Sequence, residues 1–285
     1  MRLDEVEESS EVEDQRGGGL RPGHYAAGGG IGTIIIVIIY SLLGGNPNDL
    51  KGALPSQGGS ISQQSQSGAA GASDEGKKFV SKVLRETETV WEKVLPEQTG
   101  KQYVHPKLVM FTDQVQSACG TADSGMGPFY CPGDAKVYID LAFYETMKNQ
   151  LHADGDFARA YVVAHEVGHH VQNLLGTSNE VDRMRARLSP KDFNKISVRM
   201  ELQADFLAGV WAHYATELHI DEQDVRDVMN AASQIGDDKL QKQAQGYVVP
   251  DSFTHGTSAQ RVKWFMTGYK SGKISDGNTF SIRNL

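Results

Sequence analysis

Apolar residues recur at helical spacing in two stretches of the second half of the chain. Over residues 160–176, Tyr161, Val162, Ala164, Val167, Gly168, Val171, Leu174 and Leu175 mark a largely buried helix. Asp156 stands before it as a candidate N-cap, and Gly176 follows the last apolar residue, where a C-cap glycine belongs. The second stretch, "VRMELQADFLAGVWAHYA" over residues 198–215, predicts another apolar helix. Upstream, Phe79, Val83, Val90, Trp91 and Val94 predict an amphipathic helix ended by Pro96. "KLVMFTDQV" and "AKVYIDL" read as strands, and "AFYETMKNQL" as a short helix. The remainder is mostly helical, and no internal repeat is present. The pattern predicts an α+β, mainly helical domain over residues 74–285.

The first quarter of the chain follows another pattern. Residues 1–22 carry "DEVEESSEVED", an acidic run that reads as a solvated, disordered tail. From Pro22 to Asn48 there is no Asp, Glu, Lys or Arg, and the centre, "AAGGGIGTIIIVIIYSLLGG", approaches the ~20 residues that span a bilayer core. Residues 23–45 are therefore expected to be a transmembrane anchor contacting the lipid bilayer. The β-branched "TIIIVIIY" also suits a buried strand, but its flanks supply neither turn signals nor a surrounding domain. The preceding region is too long for a cleaved signal peptide and no A-x-A-like site follows. Arg16 and Arg21 before the span, against Lys51 after it, favour an N-terminus inside. Residues 46–73, poor in aromatics and rich in Gly, Ser and Gln, read as a flexible linker.

With 285 residues the chain is long enough for one medium domain plus appendages, and its net charge of −8 speaks against a nucleic-acid partner. Its two cysteines, Cys119 and Cys131, flank a Gly-rich loop and could form a disulfide in an oxidising compartment. Such a bond agrees with a domain outside the cytoplasm. Metal ligation by the pair is the alternative, but there is no C-x-x-C spacing to support it.

The chemistry is concentrated in "HEVGHH". His165 and His169 are four apart on one helical face, so their ring nitrogens can converge on one ion. Glu166 beside them can reach a water bound to that ion. This H-E-x-x-H spacing suits one Zn²⁺ per domain held by two neutral imidazoles and a third protein ligand, with one position left for water. Such a metal lowers the pKa of the water toward ~7, and the glutamate takes its proton. Two satisfied core histidines would be the plain alternative. Glu201 and Asp205, four apart in the next apolar helix, weigh against that, because buried carboxylates are costly unless paired or metal-bound. Glu201 is a sensible third ligand, and Asp205 could accept a hydrogen bond from a ligating histidine. Ion pairs to Arg183, Arg187 or Arg199 are the structural alternative for both. His170 points about 100° from His169 and should make a polar contact behind the site. His105, His152, His213 and His219 fit structural or surface roles.

HEVGHH, ELQAD and the late "DSFTHGTSAQRVKWF" resemble the neutral zinc metallopeptidase family of bacterial membrane-associated proteins. The likeness covers nearly the whole chain, including the acidic N-terminus and the apolar span. HExxH followed by ExxxD is also similar to the gluzincins more broadly. The resemblance implies a zincin-like fold, with His165, His169 and Glu201 as ligands, Glu166 as base and Asp205 supporting a histidine. It also implies His255 near the active site, where it would stabilise an oxyanion. A structural histidine in a helix-entry turn fits His255 as well, and Tyr247 is a weaker candidate for the same task. The implied protein is a zinc metalloendopeptidase acting on peptides or proteins. It would be a single-pass protein of the bacterial inner membrane with its catalytic domain on the periplasmic side. The alternatives are a membrane-anchored zinc-binding scaffold without proteolytic activity and a metal-dependent hydrolase of non-peptide amides.

Overall fold

The computed structural model describes residues 1–17 and 69–282, with side chains from residue 74 in the second segment. The expected anchor at 23–45, and the linker up to residue 68, lie outside the described residues. Among the described residues no helix is long and apolar enough to cross a membrane.

The sheet has four strands in the order β1 (Val12–Asp14), β2 (Lys107–Phe111), β6 (Lys136–Asp140) and β5 (Phe129–Cys131). β1, β2 and β6 run parallel, with Val12 opposite Leu108 and Leu108 opposite Val137; β5 is antiparallel to β6. Two further strands, β3 (Gln114–Ser117) and β4 (Gly120–Asp123), form a separate hairpin. The single strand expected from "KLVMFTDQV" is thus two. Asp113, at a φ of 64°, turns the chain between them.

The acidic segment expected as a tail is instead part of the domain over residues 1–17. Val6 is buried in the main core, and Met1, Leu3 and Val12 pack against it. Ser9 Oγ donates to Glu88 Oε1 at 2.5 Å, and Ser81 Oγ donates to the Ser9 carbonyl at 3.0 Å. Glu13 receives Lys107 Nζ and Lys136 Nζ, each at 2.8 Å, which holds its carboxyl below the usual range. Its charge complements basic residues on β2 and β6. Composition alone reads such charge as solvation.

Helices fill the other side of the sheet. The first, α1 (Ala69–Thr99), runs three residues past Pro96, so the proline does not end it. Pro96 sits in the last turn, where only one intrahelical bond is lost. A short α2 (Ala142–Asn149) leads to α3 (Asp156–Leu175). Gly155, not Asp156, is the residue before the first turn of α3: at a φ of 122° its conformation favours glycine, and no side chain caps that end. Gly176 ends α3 in the left-handed conformation, as expected. Then follow α4 (Thr177–Arg185), α5 (Pro190–Tyr214), α6 (Glu222–Gln234), α7 (Asp237–Gln245) and α8 (Ser258–Ser271). Ser189 caps α5, whose start lies two turns earlier than the apolar pattern indicates. α3 and α5 form the centre of the core, where Phe157 stacks on Trp211 at 5.9 Å.

Three glycines set how closely these helices approach. A Cβ at Gly168, inside the HEVGH stretch, would stand 2.9 Å from the Ala204 carbonyl oxygen on α5. A Cβ at Gly209 on α5 would overlap the Phe265 carbonyl oxygen, and one at Gly268 on α8 would overlap that of Phe206. The α5–α8 pair is therefore in backbone contact on both sides, a separation no larger residue permits. Gly209→Ala or Gly268→Ala should destabilise the domain by about 1–3 kcal/mol or more, as core overpacking does. A thermal melt of either variant matching the wild type would contradict this packing.

Candidate metal centre

One turn of α3 separates His165 from His169, and their ring centroids are 4.8 Å apart at an interplanar angle of 89°. Glu201, from the facing turn of α5, reaches both. Its Oε2 is 3.2 Å from His165 Nε2, and its Oε1 is 3.5 Å from His169 Nε2. The three ligand atoms lie within 4.8 Å of one another. Ligands at ~2.0–2.2 Å from a tetrahedral zinc stand roughly 3.3–3.5 Å apart, a spacing the two Glu201–histidine contacts already have. Burial pulls the protonation of His165 down, but the Asp205 hydrogen bond and charge, with Glu201, push it up to about 10. A proton and a metal ion therefore compete for the same nitrogen.

The outward-facing ring nitrogens are both engaged. His165 Nδ1 donates to Asp205 Oδ1 at 2.9 Å, which fixes the tautomer and leaves Nε2 free to ligate. Asp205 is fully buried. It also accepts Arg261 Nε on Oδ2 and Arg261 Nη2 on Oδ1, both at 2.8 Å, together with the Tyr161 hydroxyl. Burial alone would raise this carboxyl; the Arg261 charge and its hydrogen bonds, then His165, bring it down to about 2. The arginines named as the structural alternative do not take it: Arg199, for one, donates to the Ile282 carbonyl at 2.8 Å. His169 Nδ1 donates to Gln172 Oε1 at 2.8 Å, and Gln172 Nε2 donates to the Met200 carbonyl at 2.7 Å. Gln172, Tyr161 and Arg261 are supporting residues that the motif reading did not assign. Gln172 lies three residues after His169 on an apolar helix, which is the one signal that could have found it.

Glu166 is buried at the wall of the cleft over the three ligands. Burial pushes its carboxyl up, partly opposed by His165 and His169. Among the described residues it has no hydrogen-bond partner. The cleft, about 310 Å³, has apolar walls from Met126, Pro128, Phe143, Val162 and Leu240, with His255 and Arg261 on its polar side. His255 packs into it from the turn before α8. Its Nδ1 is 3.0 Å from Thr254 Oγ1 and 3.4 Å from Asp237 Oδ1. Burial would lower its pKa, but Glu201 and Asp237 raise it. Asp237 Oδ2 in turn accepts the backbone N–H groups of Thr254, His255 and Gly256. Tyr247 is not in this site: it is 62% exposed on the loop after α7. His170, as expected, makes polar contacts behind the site, to the Val104 carbonyl at 2.6 Å and the Tyr130 hydroxyl at 3.0 Å. Burial holds it down to about 4, so it stays neutral.

Cys119 and Cys131 are bonded, with Cα atoms 5.8 Å apart, and neither is a metal ligand. Their loop carries Ser124, Gly125, Met126, Gly127 and Pro128, which form one lip of the cleft. Closing a loop of this size contributes roughly 3 kcal/mol on chain-entropy estimates.

A family model described as "Putative neutral zinc metallopeptidase" matches residues 1–280, and the chain belongs to this family. "Uncharacterized protein YpfJ" of Escherichia coli K12 is 47% identical over 285 residues, covering 98% of this chain and 99% of that protein. "Uncharacterized protein Rv2575" of Mycobacterium tuberculosis H37Rv is 40% identical over 210 residues, covering 70% of this chain and 68% of its own length. "Uncharacterized protein Mb2605" of Mycobacterium bovis matches to the same extent. No solved structure matches.

Two predictions follow from the support shell. Gln172→Met and Asp205→Asn leave all three ligands in place, so each should weaken zinc binding by roughly 10–100-fold in a competition titration. Unchanged affinity in both would remove these residues from the site. In the metal-free protein the Asp205 carboxyl lies below its unfolded value. Its contribution to stability is thus complete above about pH 4 and lost as the pH falls toward 2. Acid unfolding followed by circular dichroism should show this slope in the wild type and not in Asp205→Asn.

Proposed function

We propose that this protein is a zinc-dependent, gluzincin-like peptidase that hydrolyses peptide bonds, with Glu166 as general base. The metal would be held by His165, His169 and Glu201. Two imidazoles and a carboxylate suit zinc, and the family to which the chain belongs points to the same ion. When bound there, zinc supplies a Lewis acid and a water of lowered pKa.

The observation that carries the reading is the state of Glu166. It is a buried carboxyl between the two histidines, facing the cleft and without an internal hydrogen-bond partner among the described residues. A purely structural ion needs no such group, which disfavours the scaffold reading. Burial raises its pKa and so makes it a better proton acceptor. It takes the proton of the attacking water and passes it to the leaving amine. His255 has Nδ1 turned to Thr254 and Asp237, so Nε2 is the atom left to donate to the oxygen on which charge develops. Arg261 works at one remove: it fixes Asp205, which fixes His165. The apolar walls suit a peptide better than a small polar amide.

Glu166→Gln should retain zinc while peptide cleavage falls by at least ~10²–10⁴-fold, the contribution of a general base. Glu201→Gln should lose zinc. Comparing peptides from cells carrying wild type with those from cells carrying Glu166→Gln identifies the substrates. Cleavage by Glu166→Gln at the wild-type rate would rule out the mechanism.

A further inference from the structure

The apolar run near the N-terminus lies between two segments that meet in one fold. We infer that residues 1–17 and 69–282 occupy the same side of any membrane the protein touches, so the run does not carry the chain across once. It is a different topology from the single pass expected from hydropathy.

The argument rests on the docking of the first segment. β1 pairs with β2 through three consecutive register positions, Val12–Leu108, Glu13–Val109 and Asp14–Met110. Backbone bonds flank that pairing on both sides: Leu108 N–H donates to the Glu11 carbonyl at 2.9 Å, and Gln15 N–H to the Met110 carbonyl at 2.8 Å. Val6 is inside the main core, and the Ser9–Glu88 bond is buried. Paired strands lie about 4.8 Å apart, whereas the hydrocarbon core of a bilayer is about 30 Å thick. A chain that crosses once cannot satisfy both. Exchange of β1 between two copies does not help, because copies inserted alike all carry that strand on the far side.

Two crossings are also excluded by composition. They need about 40 apolar residues, and the only uncharged stretch with a sustained apolar run before residue 69 is Pro22 to Asn48. Beyond it come Asp49, Lys51 and a Gly-, Ser- and Gln-rich sequence. Within the uncharged stretch the compact apolar part is "IGTIIIVIIYSLL", residues 31–43. Runs of roughly 10–14 residues fit interfacial or re-entrant contact better than a crossing. The charge bias that suggested a single pass is weak too. Arg16 forms an ion pair with Asp14 at 2.6 Å within the docked segment, so it is not a free topogenic charge.

The test uses the full chain expressed in bacteria. Glu8 and Arg187 are exposed, one in the first segment and one between α4 and α5. The two native cysteines are bonded to each other, so the wild type is the unlabelled control. Single variants Glu8→Cys and Arg187→Cys are treated with a membrane-impermeant maleimide in spheroplasts and again after lysis. The expected result is that both react in the same preparation, either in spheroplasts or only after lysis. Reaction of one in spheroplasts and of the other only after lysis would overturn the inference. A second measurement guards against a misfolded variant. Both single variants should melt like the wild type, and deletion of residues 2–15 should lower the melting temperature by several degrees, roughly 4 °C or more. An unchanged melt on deletion would show that the segment is not docked, and would overturn the inference by another route.

Discussion

The buried carboxylate of Asp205 is the point on which this structure turns. It joins three helices: Tyr161 and His165 reach it from α3, and Arg261 reaches it from α8, while it belongs to α5 itself. A lone carboxylate in that position would be expelled or protonated. With a two-point guanidinium contact, a hydroxyl and an imidazole around it, both oxygens are hydrogen-bonded and the charge becomes an organising centre. The orientation of His165 follows from it, and with that orientation the direction in which a ligating nitrogen points. The glycine contacts serve the same end, since α5 and α8 must touch for Arg261 to reach the carboxylate.

The cleft is assembled from distant parts of the chain. One lip is the loop closed by the Cys119–Cys131 bond, and the other comes from α7 and the turn that carries His255. The floor is α3. Asp237 knits the second lip together, because one of its oxygens gathers three successive backbone N–H groups. Substrate contacts would thus come from loops and short elements, while the ligands sit on two long helices held by packing. That division keeps the metal geometry insulated from changes in the walls.

Much of the centre was legible in the residues. His165, Glu166 and His169 follow from a fixed four-residue spacing on an apolar helix, and Glu201 and Asp205 from the cost of burying two acids in a second one. The role of Arg261 was less visible, because its partner is fifty-six residues earlier and the pairing depends on how α5 and α8 cross. Asp237 gave no signal at all: "GDDK" looks like an ordinary helix entry, and its task is visible only in the backbone it holds. Helix boundaries were displaced where local rules compete with packing, as at Pro96 and Gly155. The largest difference concerns residues 1–17. Acidic composition suggests solvation when the basic partners are unknown, and Lys107 and Lys136 lie more than ninety residues away.

The placement of β1 also has a consequence for how the molecule comes into being. During synthesis this strand leaves the ribosome first, yet its partner β2 begins only at Lys107 and the third parallel strand at Lys136. The pairing of Val12 with Leu108 closes a long loop, and such contacts form late because their entropy cost precedes any reward. A strand made before its partners is thereby among the last to be placed. Until then the edge of β2 stays open and the nascent protein has an unpaired strand face, the kind of surface that chaperones cover.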